Sequence, residues 1–188
     1  MEDRQTKRNK RTIGIVVGIL TAILCTACNG GTSADNLSVK VVTLQDEAET
    51  ADFVYYDVYG NGKVRKTDEF KPDDSARFYA ADIDCFSSNV VNGQVKNTLV
   101  NTILTEESGD VIEADEAMSS LMQLLADEID HDIFSAIIIE DKGQYFAWVE
   151  LNTNWSSPCE LYQYNGEENT IEVIGKWDGV DLIGIWVA

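Results

Sequence analysis

Phe134-Ser-Ala-Ile-Ile-Ile-Glu-Asp-Lys-Gly-Gln-Tyr-Phe-Ala-Trp-Val-Glu-Leu151 is two short apolar runs separated by Asp141-Lys142-Gly143. Both runs are dense in β-branched and aromatic side chains, and the residues between them suit a chain reversal, so the stretch predicts two antiparallel strands, 134–140 and 144–151. The same pattern continues to the C-terminus. After a loop containing Pro158, the segments 160–164, 170–177 and 182–187 each read as a short strand, which makes the final third of the chain a β-meander.

Upstream of the meander the period changes. Residues 113–130 carry acids in the first turn, where they face the positive end of the helix dipole, and Met118, Leu121, Met122, Leu125 and Ile129 fall on one stripe. This is an amphipathic helix that packs on the sheet, and His131 at its end is a cap or surface residue rather than a catalyst. Further upstream, 37–44 and 53–59 read as strands, with Gly60-Asn61-Gly62 turning the chain into 63–66. A second hairpin is expected where Asn92-Gly93 separates 82–91 from 94–104. In its second arm Val95, Leu99 and Ile103 also match a helical spacing, but the Thr, Val and Ile content favours a strand. The fold class expected is α+β: mainly an antiparallel β-sheet meander with one packed amphipathic helix, in a single domain over 37–188.

All four tryptophans, Trp148, Trp155, Trp177 and Trp186, lie in the meander together with Tyr145, Tyr162 and Tyr164. Large rings usually fill a core, and strand alternation puts Trp148 and Tyr145 on opposite faces. Trp155 differs, because Asn152-Thr-Asn-Trp-Ser-Ser157 offers it no apolar neighbours. The candidate ligand contacts are therefore Trp155, with Trp148 and Tyr162. The segments Tyr145-Phe-Ala-Trp-Val-Glu-Leu151, Glu160-Leu-Tyr-Gln-Tyr164, Thr170-Ile-Glu-Val-Ile174 and Asp178-Gly179 together resemble a single β-propeller blade of the kind found in bacterial envelope proteins. The resemblance implies local strand topology and carries no functional residue.

The N-terminus gives an address. Arg4, Lys7, Arg8, Lys10 and Arg11 precede an apolar and small stretch that, even extended to Ala27, has 15 residues from Ile13. Crossing about 30 Å of hydrocarbon takes about 20, so the run reads as an export signal. Thr26-Ala27-Cys28 closes it, followed by the small, polar Asn29-Gly-Gly-Thr-Ser-Ala-Asp-Asn36. These residues resemble a bacterial lipoprotein signal, whose lipobox ends at a lipidated cysteine, and Cys28 is the match; Cys25 stands where the family usually has Leu. The resemblance implies cleavage after residue 27, a diacylglyceryl anchor on Cys28, a flexible tether over 28–36, and a domain held by lipid at the extracytoplasmic face of the cell membrane. Two acyl chains hold where one does not.

Without residues 1–27 the chain carries 31 acids and 9 bases, a net charge of −22. Such a surface repels nucleic acid phosphates and anionic lipid headgroups, so neither a nucleic-acid partner nor a lipid-surface reader is expected. Cys85 and Cys159 are then the remaining thiols, with no C-x-x-C spacing, and their export predicts a disulfide between them. No Gly-x-Ser-x-Gly elbow, phosphate-cradling glycine loop or His-Glu-x-x-His motif is present, and no metal or other cofactor is implied. Asp57, Asn61, Gly62 and Asp68 match part of an EF-hand count, but Tyr59 breaks it and strands flank it. The leading expectation is a membrane-anchored lipoprotein whose domain binds a partner protein or small ligand without catalysis. The alternative is an envelope hydrolase using paired carboxylates.

Overall fold

The computed structural model describes residues 37–47, 50–71, 75–81, 83–153 and 158–188. Residues 1–36, which include Cys28, and Trp155 lie outside the described residues.

In chain order the elements are β1 (Leu37–Glu47), β2 (Thr50–Tyr59), β3 (Val64–Thr67), β4 (Arg77–Ala81), a 3-10 turn (Ile83–Cys85), β5 (Phe86–Val91), β6 (Gln94–Leu99), β7 (Ile103–Glu106) and β8 (Val111–Glu113). There follow α1 (Glu116–Glu128), β9 (Asp132–Asp141), β10 (Gln144–Asn152), β11 (Pro158–Asn165), β12 (Thr170–Asp178) and β13 (Val180–Val187). The class is α+β and the sheets are antiparallel, as the sequence predicts.

Three layers result. The middle one is a seven-stranded sheet in the order β12-β11-β10-β9-β4-β7-β8. A four-stranded sheet, β13-β1-β2-β3, covers one face, and α1 with the β5-β6 hairpin covers the other. Strands buried on both faces should read as continuous apolar runs, and the two central ones do. Along β9, Ala136 and Ile138 point into the helix-side core while Ile137 and Ile139 point at the small sheet; along β10, Ala147 and Val149 alternate with Phe146 and Trp148 in the same way. The reversal between them uses Lys142 and Gly143 at φ 51° and 75°, both left-handed as a type I′ hairpin requires. Asn92 and Gly93, at 54° and 81°, do the same for β5 and β6.

Helix α1 starts where Asp115 accepts a bond from the Met118 amide at 2.8 Å, and its stripe of Met118, Leu121, Met122 and Leu125 is buried on the sheet. Its far end is capped from a distance. Asn97 of β6 donates to the carbonyls of Ile129 (2.7 Å) and His131 (2.9 Å).

The structure corrects several expectations. Strand β13 does not continue the meander: it leaves the large sheet to pair with β1, Val41 facing Ile185. The blade-like segment is the β10-β11-β12 end of an open seven-stranded sheet, not part of a propeller. The second arm of the 92–93 hairpin ends at Leu99, and the residues after it turn into β7. Strands β4, β7 and β8 have no counterpart in the sequence reading. Finally, Cys85 and Cys159 are not joined: each is a buried thiol, Cys85 in the helix-side core and Cys159 in the core between the sheets, with the large sheet separating the two clusters.

Candidate functional site

The expected platform does not assemble. Trp148 is 4% exposed in the core between the sheets, where its ring lies 4.8 Å from that of Trp177, while Tyr162 is 6% exposed on the opposite face under α1. A ring in each core cannot share a ligand. Trp155, the third member, lies outside the described residues.

What the strands do build is an open cavity of about 580 Å³ at one end of the large sheet. Three separate segments shape it: the β9–β10 turn with Gly143, Gln144 and Tyr145; the end of β11 and the start of β12 around the turn at Gly166; and Ala117 at the start of α1. Two tyrosine rings wall it. Phe146 faces Gln163 across β10 and β11, which sets Tyr145 and Tyr164 on adjacent strands beside the opening.

Each ring is held by the fold. The Tyr145 hydroxyl donates to Asp115 Oδ2 at 3.3 Å, so the carboxylate that caps α1 through its other oxygen also fixes the cavity wall. Desolvation, then the negative charge of Asp115 and Glu140, raises the Tyr145 hydroxyl above its ordinary pKa and keeps it a donor. Tyr164 donates to Asn169 Oδ1 at 3.1 Å, across the β11–β12 turn.

That turn is itself ordered by one side chain. Asn165 Oδ1 accepts from the amides of Glu167 (3.1 Å) and Glu168 (3.3 Å), and its Nδ2 donates to Glu168 Oε2 (3.2 Å). Gln144, Gln163, Asn165, Glu167, Glu168, Thr170 and Glu172 complete the lining of the opening. Its lining includes no Ser, Cys, His, Lys or Arg. Such a surface accepts and donates hydrogen bonds and stacks on flat groups.

Aromatic enrichment singles out the meander, but it does not say which rings stand at a surface. The signal that separates them is position along the strand, since Tyr145 and Tyr164 sit at strand ends and Trp148 and Tyr162 in strand middles. Among the described residues, no group of three or more His, Cys, Asp or Glu side chains is placed to hold a metal ion, and no helix is long and apolar enough to cross a membrane. No protein-family model, curated protein or solved structure matches the chain.

Proposed function

We propose that the chain is a bacterial envelope lipoprotein, anchored through Cys28 on the extracytoplasmic face of the membrane, whose domain binds a partner protein or small ligand without catalysis. The observation that carries the binding reading is the open cleft walled by two tyrosines whose hydroxyls are fixed by Asp115 and Asn169.

Two measurements test the proposal. Cells fed an alkyne-tagged fatty acid should label the wild-type chain and not Cys28→Ala, and the variant should leave the membrane fraction or accumulate as precursor; an unlabelled wild-type chain ends the lipoprotein reading. For the cleft, a photo-crosslinking side chain placed at Gln163 should form an adduct that one at Lys96 on β6 does not, and Tyr164→Ala should abolish it. Equal crosslinking at both positions ends the cleft reading.

A further inference from the structure

Five of the nine basic residues in 28–188 fall between positions 40 and 71, in a stretch of chain otherwise set in a strongly acidic protein. The fold gathers three of them, Arg65 and Lys66 on β3 at one edge of the small sheet and Lys63 just before it, all exposed. We propose that this edge rests on the anionic phospholipid headgroups of the membrane to which the chain is tethered. The inference rests on the anchoring proposed above.

Position is the first support. Leu37, the first described residue after the proposed tether, pairs with Tyr59, and Tyr59 closes the turn into β3 by donating to the Lys63 carbonyl at 3.0 Å. Arg65 lies over the Tyr59 ring at 5.5 Å. The tether therefore leaves the domain beside these cations. Asp68 and Glu69 come after Thr67, at the other end of β3, and Asp57 across from Arg65 is engaged by Lys40 at 2.8 Å.

Reach and screening supply the rest. The eight residues 29–36 span at most about 28 Å, less than the width of a 150-residue domain, so the tether end stays near the surface. At physiological ionic strength the Debye length is about 8 Å, so a surface responds to the charges facing it rather than to a net charge of −22. Glu167, Glu168 and Glu172 also lie toward this end, but on the other sheet.

The test uses the full lipidated chain in vesicles, with acetylation of lysines by an activated ester read by mass spectrometry. On vesicles about one-third phosphatidylglycerol, Lys63 and Lys66 should label at least about threefold more slowly than on pure phosphatidylcholine, and the difference should vanish near 0.5 M salt. Lys96 and Lys176, on β6 and β12, should label equally on both. Lys63→Glu/Arg65→Glu/Lys66→Glu, followed at the remaining lysines and by hydrogen exchange of the β3 amides, should lose the protection while staying anchored. Equal labelling on both vesicles overturns the inference and leaves the anchor standing, whereas a chain that binds neither vesicle overturns both. Equal protection by soluble polyglycerol phosphate without vesicles also overturns it, because the edge would then read a polyanion and not a membrane.

Discussion

The indole of Trp177 lies across Gly175, occupying the space where any other residue would carry its β-carbon. Trp186 covers Gly184 in the same manner on the small sheet. Each glycine lets a large ring lie flat along its own strand, and the Trp177 ring then meets Trp148 at 4.8 Å and Tyr56 at 5.8 Å between the two sheets. Gly175→Ala forces the ring to lift and should cost about 1–3 kcal/mol, the usual penalty for overfilling a packed core. Urea unfolding of the variant measures it. A midpoint unchanged from wild type would mean that the ring has another place to go.

Asn97 makes a second testable joint. It is 8% exposed and joins the β5-β6 hairpin to the end of α1 through bonds to Ile129 and His131, while its Oδ1 accepts from Ser88 at 2.6 Å. Asn97→Ala leaves two carbonyls without this donor and should destabilise by about 1–3 kcal/mol. Hydrogen exchange should show the last turn of α1 opening first. A variant with wild-type stability would show that water replaces the side chain at no cost.

These joints mark where the sequence is readable and where it is not. The β9-β10 hairpin is legible because Asp141-Lys142-Gly143 interrupts two apolar runs, and α1 because its stripe repeats at helical spacing. The partner of β13 is not, since alternation in 182–187 is satisfied equally well beside β12 or beside β1. Strands β4, β7 and β8, with 5, 4 and 3 residues, are too short for a period to emerge. The cleft is invisible for another reason: Ala117, Gln144 and Glu168 meet only after two turns and the start of α1 are brought together at one end of the sheet. Compartment and even count suggest a disulfide, but the sequence holds no sign that a whole sheet stands between Cys85 and Cys159.

Asp115 and Tyr145 should separate stability from binding. Asp115→Ala removes the N-cap and should cost about 1 kcal/mol. Tyr145→Phe removes only the exposed 3.3 Å contact to Asp115 and should change stability by less than about 0.5 kcal/mol. Thermal unfolding of the two variants checks both figures, and a large loss in Tyr145→Phe would make that ring a structural element and not a wall kept for a ligand.

The final prediction concerns alkaline pH. Burial, reinforced by the charge of Glu150, pushes the Cys159 thiol up from 9.0 to about 12. Burial and the hydrogen bond to Glu160 raise the Tyr162 hydroxyl above its ordinary 10.0. Both groups are neutral when protonated, and folding favours that form. Well below pH 9 both groups are largely protonated in the unfolded chain as well, and stability is nearly unaffected. As pH climbs through 9 and 10, the unfolded chain releases protons that the folded chain keeps, so stability falls by up to about 1.4 kcal/mol per pH unit for each group. The urea midpoint should hold steady from pH 7 to 8.5 and drop by pH 10.5, with a shallower drop in Cys159→Ala. The same burial predicts that a thiol reagent at pH 8 leaves Cys159 unmodified in the folded protein, yet marks both Cys85 and Cys159 once the chain is unfolded without reductant. Failure to mark them would restore the disulfide that the two separate cores rule out.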